Sequence, residues 1–98
     1  MTDLHEDDLI YDWNLVDTIR PIVKANQVSF FDETLRDGIQ SPSVVDPSIE
    51  DKVRLLHMQN GLGIQYSDIG LPGAGPRAVE DVTRLCQEIV DHKLAIRP

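Results

Sequence analysis

The chain is poor in cysteine, in basic residues and in long apolar runs, and each shortage excludes a class of protein. Cys86 is the only cysteine among the 98 residues, which excludes an internal disulfide and any zinc site built from several thiolates. The net charge of -8 repels phosphate backbones and anionic lipids, so we expect neither nucleic-acid nor membrane partners. No apolar run approaches the roughly 20 residues of a membrane span. Because the N-terminus is acidic and lacks a secretion signal, the sequence predicts a cytoplasmic protein.

The acidic residues are concentrated at the N-terminus. Residues 1–26 contain six acids against two basic residues, and we interpret them as an acidic leader that precedes the body at residues 27–98. Between residues 9 and 19, apolar side chains recur every three or four positions, which predicts a short helix. Trp13 lies on this stripe, and we expect it to anchor the leader to the body.

Strand and helix patterns alternate from residue 27 onward. The expected order is a strand at 27–32, a helix that Asp46 caps and Gly61 ends, a strand at 64–70, a helix from Pro76 with an apolar stripe from Val79 to Val90, and the start of a third strand at 94–96. Such alternation predicts an α/β fold with a parallel sheet, either doubly wound or closed into a barrel. Gln65 and Ser67 are polar where a buried parallel strand is mostly aliphatic, and the pattern does not explain them.

Polar side chains gather where the first two predicted strands end. Asp32 ends the first strand, Arg36, Asp37 and Gln40 follow it, and Asp68 lies near the end of the second. Parallel strands bring their carboxyl ends to one edge, where the ligand sites of such folds lie, so these residues are expected to converge. An isolated Arg36–Asp37 pair also fits a structural salt bridge. The neighbouring polar residues favour a metal ion bound beside an oxyanion.

Other ligand-binding patterns are weaker. His5, His57 and His92 are too scattered along the chain to indicate a metal cluster by spacing alone. The glycine-rich run from Gly70 to Gly75 lacks the spacing of a phosphate-binding loop, contains Pro72 and is followed by Pro76, so we interpret it as a rigid connection.

The first-strand segment has a longer and more specific resemblance. The segment Phe31-Asp32-Glu33-Thr34-Leu35-Arg36-Asp37-Gly38-Ile39-Gln40 resembles the strand-one signature of a family of metal-dependent TIM-barrel enzymes. This family includes 2-isopropylmalate synthase, homocitrate synthase, citramalate synthase and 3-hydroxy-3-methylglutaryl-CoA lyase, and its domain is of the pyruvate carboxyltransferase type. Asp68-Ile69-Gly70-Leu71-Pro72 is similar to the end of the family's second strand. The resemblance implies an incomplete (β/α)8 barrel with its first two βα units and the start of a third strand.

The resemblance also implies roles for individual residues. Asp37 would bind a divalent metal (Mg²⁺, Mn²⁺ or Zn²⁺), and Arg36 would be the catalytic residue that stabilises the enolate or oxyanion. Gln40 and Asp68 would bind the substrate. The implied reaction is an acyl transfer that condenses acetyl-CoA with a 2-oxo acid at the metal, in a parent protein that forms a homo-oligomer and serves amino-acid biosynthesis.

Two departures from the family pattern open alternatives. Ile39 stands where synthases commonly have an acid or amide, and an apolar residue there resembles the lyase branch, so a 3-hydroxyacyl-CoA lyase or a carboxyltransferase is the second enzymatic reading. The chain also has 98 residues where such barrels need about 250, and it lacks the family's His-x-His pair. We therefore expect an N-terminal fragment that is inactive alone. A non-catalytic remnant or association module is the alternative from another class.

Overall fold

The computed structural model describes residues 27–98, together with residues 3–5, 9–11, 13, 16, 17 and 21. Its main elements are β1 (Phe31–Asp32), α1 (Ile49–Gly61), β2 (Tyr66–Ser67) and α2 (Pro76–Asp91), with short 3-10 turns at Gly38–Gln40 and Pro72–Ala74. The predicted α/β class and the order of the elements are confirmed, although both strands are shorter than predicted. Within these described residues, neither helix has the length and apolar character needed to cross a membrane.

The acidic leader is described at only a few positions, and the helix predicted at residues 9–19 lies largely outside them. Trp13 is 76% exposed, and its ring lies edge-on to that of Tyr11 with the centroids 4.6 Å apart. So exposed a ring does not fit the anchoring role that the sequence predicts for Trp13.

The sheet is parallel, and β2 lies at its centre. Phe31 pairs with Tyr66 and Asp32 pairs with Ser67. On its other side, Tyr66 forms a parallel bridge to Arg97, close to where the sequence predicts the start of a third strand. The Ser67 amide donates to the Arg97 carbonyl at 2.9 Å, while the Asp68 amide donates to the Asp32 carbonyl at 2.8 Å. Three successive chain segments therefore run side by side in the order of the sequence.

The core lies between the sheet and the two helices. Its buried apolar residues are Leu35, Leu56, Ile69, Leu85 and Ile96. The predicted stripe of α1 packs against them, as do Val82, Cys86 and Ile89 of α2. Val79 and Val90 were predicted on the same stripe but are exposed. At about 100° per residue, each lies more than a quarter turn from Leu85, the residue at the centre of the buried face.

The ends of α1 differ from the sequence prediction. Ser48 caps the helix, because its Oγ accepts a hydrogen bond from the Asp51 amide at 3.2 Å. The predicted cap, Asp46, points elsewhere and pairs with Lys52 and Arg77. At the other end, Gly61 is still helical, and the left-handed conformation that was predicted for it falls on Gly63, at a φ of +83°.

The two polar residues of the second strand have partners. Gln59 of α1 is only 3% exposed; its Nε2 donates to Asp32 Oδ1 at 2.7 Å, and its Oε1 accepts from the buried Ser67 Oγ at 3.1 Å. Gln65 is exposed and accepts the Phe30 amide at 2.7 Å through its Oε1. A single side chain of α1 thus satisfies polar groups on both strands, which accounts for a serine inside the layer.

Replacing Gln59 by alanine is expected to lower the free energy of unfolding by about 2 kcal/mol, because the Ser67 hydroxyl would stay buried without its partner. Urea unfolding followed by far-ultraviolet circular dichroism measures the change. Gln87→Ala is the matched control, since Gln87 is exposed and bonds Asp91 on the surface of α2 at 2.7 Å; its cost should stay below about 0.5 kcal/mol. Equal costs for the two variants would contradict a structural role for Gln59.

Candidate functional site

The loop after β1 is held in a fixed conformation by its own main chain. The amides of Arg36 and Gly38 both donate to the Glu33 carbonyl at 3.1 Å, and the Gln40 amide donates to the Asp37 carbonyl at 3.2 Å. Leu35, at the centre of this loop, is buried in the core. The loop therefore presents Arg36 and Asp37 from a well-packed turn.

Arg36 and Asp68 come together as the sequence predicts. Arg36 Nε donates to Asp68 Oδ2 at 3.2 Å, across 32 residues of chain. This hydrogen bond raises the pKa of Arg36 above its ordinary value, against a smaller opposing effect of burial, and the charge of Glu33 adds to it. The other Asp68 oxygen, Oδ1, accepts the Gly70 amide at 3.4 Å. The guanidinium is therefore a fixed positive charge tied to the end of β2.

Asp37 is not buried in an ion pair with its neighbour. Its carboxylate lies 3.8 Å from Arg36 Nη1, and its side chain is 68% exposed. An exposed contact of this length contributes little to stability, so the structural salt bridge considered for the isolated pair is a poor explanation of Asp37. The carboxylate is accessible to a cation from solvent.

Asp32 does not join this group, contrary to the expectation from sequence. Its Oδ1 accepts the Thr34 amide at 2.8 Å and Gln59 Nε2 at 2.7 Å. One oxygen of Asp32 therefore serves the turn and the contact with α1, and the side chain faces the helix layer. The cause is Gln59, which lies 27 residues further along the chain and was assigned no role from sequence.

A pocket of about 180 Å³ adjoins the loop, between the loops that follow the strands and the first turns of the helices. Arg36 and Gln40 line the pocket, so a molecule bound there could contact the Gln40 side chain. Ile39 also lines this pocket. Asp37 and Asp68 are not among its described lining residues, so the predicted site residues divide between the pocket and the exposed surface beside it.

Lys52 is the centre of a buried charge cluster in the pocket wall, a role that the sequence motifs do not predict. The Lys52 side chain is only 5% exposed, with its Nζ 2.7 Å from Asp81 Oδ2 and 3.0 Å from Asp46 Oδ1. Burial lowers the pKa of Lys52, but the hydrogen bonds to Asp81 and Asp46 outweigh it and the pKa is raised. One signal was present in the sequence: Lys52 follows Ile49 by three residues and precedes Leu56 by four, which places it on the buried stripe of α1.

A second cluster joins the far ends of the two helices. His57 Nε2 lies 2.6 Å from Glu88 Oε1, and His92 Nε2 lies 3.2 Å from the same oxygen. Hydrogen bonds from His57 and then Arg84 lower the pKa of Glu88 to about 2. The spacing of the histidines along the chain does not predict a cluster, whereas the fold brings His57 and His92 together. The i,i+4 spacing of Glu88 and His92 was the available signal.

Comparison with known proteins gives partial matches to enzymes of one type, the citramalate and 2-isopropylmalate synthases. No protein-family model matches the chain, and no solved structure matches it significantly. The chain is 40% identical to an (R)-citramalate synthase of Geobacter sulfurreducens over 52 residues, covering 53% of this chain and 10% of that protein. It is 32% identical to a 2-isopropylmalate synthase of Salinibacter ruber over 65 residues, which are 66% of this chain and 12% of that protein. It is 35% identical to a 2-isopropylmalate synthase of Neisseria meningitidis over 68 residues, which are 69% of this chain and 13% of that protein.

The matched region spans only 10% to 13% of the length of these three relatives. All three are condensing synthases by name, and they agree with the resemblance carried by the motif from Phe31 to Gln40. That resemblance is therefore confirmed: the chain is similar to a short part of the 2-isopropylmalate and citramalate synthase family, as a fragment of that family's domain would be.

Proposed function

We propose that residues 27–98 are the first two βα units, and the start of a third strand, of a (β/α)8 barrel that condenses acetyl-CoA with a 2-oxo acid at a divalent metal. Residues 1–26 are then a leader outside the barrel. The observation that carries the proposal is the Arg36–Asp68 hydrogen bond at the carboxyl ends of two parallel strands, beside the exposed carboxylate of Asp37.

The exposed face of the sheet supports the barrel. Phe31 and Tyr66 are paired neighbours, so their side chains lie on the same face, and both are exposed. The helices cover the opposite face, where Ser67 is buried. Apolar side chains on an open sheet face favour a covering layer, and in a barrel the inward side chains of the other strands provide it.

The geometry of Arg36 suits it to hold negative charge on a substrate. Its Nε is occupied by Asp68, whereas Nη2 and Nη1 lie 3.7 and 3.8 Å from the carboxylates of Glu33 and Asp37, beyond hydrogen-bond distance. Both Nη groups can therefore donate to an oxyanion. Charge develops on the acetyl group as its methyl carbon loses a proton and attacks the 2-oxo carbon, so this contact strengthens toward the transition state.

In this proposal Asp37 binds the metal, and Gln40 and Asp68 bind the substrate. A carboxylate oxygen is a ligand that hard divalent cations such as Mg²⁺ and Mn²⁺ prefer, and Zn²⁺ also accepts it. When bound, the metal polarises the carbonyl of the 2-oxo acid. Gln40, in the pocket lining, offers an amide donor and acceptor that can orient the acid.

A 3-hydroxyacyl-CoA lyase or a carboxyltransferase on the same barrel is the second candidate, favoured by Ile39. Its apolar side chain lines the pocket beside Arg36, where an acid or amide would be expected for a synthase. An association module is the candidate from another class. It is favoured by the exposed apolar residues Val28 and Phe30 just before β1 and Phe31 in β1, which is the edge strand of the sheet.

Assaying thiol release from acetyl-CoA tests the proposal, in the purified protein that contains this chain and with a panel of 2-oxo acids. We expect release that depends on the 2-oxo acid, stops on chelation with EDTA and returns with a divalent metal. Cleavage of a 3-hydroxyacyl-CoA without condensation would assign the lyase instead. Neither activity, together with stable self-association in sedimentation, would favour the association module.

A further inference from the structure

The cluster at the far ends of the helices has the composition of a metal site. One ligand atom from each of His57, Glu88 and His92 lies within 4.8 Å of the others. Both histidines direct Nε2 at the same carboxylate oxygen, and their rings meet edge to face with the centroids 5.3 Å apart. Imidazole nitrogens with one carboxylate oxygen are a common ligand set for zinc and related transition metals.

The surroundings leave this oxygen available. Arg84 Nη1 donates to the other Glu88 oxygen, Oε2, at 2.6 Å and so fixes the orientation of the carboxylate. Glu88 is buried, while the side chains of His57 and His92 are 39% and 57% exposed, so solvent reaches the nitrogens. A metal could therefore enter from the surface and meet a carboxylate that is already oriented, an arrangement that favours binding.

The distances need only a small adjustment. Ligands about 2.0 to 2.2 Å from a tetrahedral zinc ion lie roughly 3.3 to 3.6 Å from one another. The two nitrogens are now 2.6 and 3.2 Å from Glu88 Oε1. Opening these two distances by at most about 1 Å, through rotation of two partly exposed side chains, gives the required nitrogen–oxygen spacing. The two nitrogens already lie within 4.8 Å of each other.

We propose that His57, Glu88 and His92 form a transition-metal site, with His57 Nε2, Glu88 Oε1 and His92 Nε2 as ligands and the fourth position open to solvent. The site ties the last turn of α1 to the end of α2. It lies away from the loop that carries Asp37, and it differs in its ligand set, because two imidazole nitrogens accompany the carboxylate oxygen here. The connections explain the separation: both helices run back from the edge where the strands end, so their last turns lie at the opposite edge.

Binding of Zn²⁺ to the 98-residue chain, freed of metal with EDTA and then dialysed, tests this site by isothermal titration calorimetry at neutral pH. We expect one equivalent bound, a rise in the melting temperature with Zn²⁺ and none with Mg²⁺. His57→Asn and His92→Asn should each weaken binding by at least about tenfold, or about 1.4 kcal/mol. The matched control is His5→Asn, which removes a histidine outside the cluster and should bind as the wild type does.

Cobalt(II) supplies a readout that does not depend on the variants. The wild-type chain should give the intense visible absorption of a four-coordinate cobalt site, and one equivalent of Zn²⁺ should abolish it. If His57→Asn fails to fold in EDTA, His92→Asn decides, because its side chain is the more exposed. Binding that is unchanged in His92→Asn, or no stoichiometric binding by the wild type, would overturn the site. Neither result bears on condensation, since no substrate is present.

Discussion

Replacing Lys52 by methionine is expected to lower the free energy of unfolding by about 3 kcal/mol, measured by urea unfolding of the 98-residue chain. Methionine keeps most of the side-chain volume and removes the charge, which leaves the buried Asp81 carboxylate without its 2.7 Å partner. Arg77 Nε, 3.9 Å from Asp81, compensates only in part because Arg77 is mostly exposed.

Two variants separate this effect from general loss of charge. Arg54→Met removes an exposed cation from the same helix, where it pairs with Asp51, and should cost less than about 1 kcal/mol. The double variant Lys52→Met with Asp81→Leu removes both buried charges and should recover much of the lost stability. If Lys52→Met costs no more than Arg54→Met, the buried pair does not stabilise the fold.

The Lys52 effect also has a defined pH dependence. Because the folded state raises the pKa of Lys52 above its ordinary value of 10.5, the contribution is fully present below that value. It is lost as the pH rises through the higher pKa of the folded state. The stability difference between the wild type and Lys52→Met should therefore be constant near neutral pH and shrink in strongly alkaline solution.

Replacing Arg36 by lysine should reduce kcat about 100-fold in the protein that contains this chain, or about 2.7 kcal/mol, with a smaller change in KM. Lysine keeps the charge but loses the planar fork, so its single nitrogen cannot bond Asp68 and also reach an oxyanion from two further nitrogens in a fixed plane, as Arg36 can. Steady-state kinetics of acetyl-CoA consumption measure the split between kcat and KM.

Arg54→Lys is the control for this substitution, because Arg54 is exposed on α1 and pairs with Asp51 away from the loop. Its kinetic constants should equal those of the wild type. Unchanged turnover in Arg36→Lys would remove Arg36 from the mechanism. A rise in KM alone would mean that Arg36 binds the ground state and the transition state equally.

The fold was predictable where the signal is local. Ile49, Val53 and Leu56 recur at helical spacing, and that pattern requires no knowledge of distant residues. The cap of α1 was not predictable in the same way, since Asp46 and Ser48 are both good caps two residues apart. The choice depends on Lys52 and Arg77, which draw Asp46 into ion pairs once the helices have packed.

The candidate site shows the same division between local and distant information. The contact between Arg36 and Asp68 follows from a general rule of parallel sheets, so the sequence was sufficient to predict it. The approach of His57 to Glu88 depends on which sides of α1 and α2 face each other, and 31 residues separate the two. No spacing rule covers such a contact.

Gln59 has a consequence for how the two strands find their alignment. If β1 slipped past β2 by one residue, alternate side chains would exchange faces, so that Tyr66 or Asp68 would replace Ser67 beside Asp32. The amide of Gln59 could not then bridge the same two oxygens, and a polar group would be left unpaired beneath the sheet. Gln59 thus destabilises the shifted pairing of β1 with β2 and favours the native pairing, and its contribution adds to that of the main-chain hydrogen bonds.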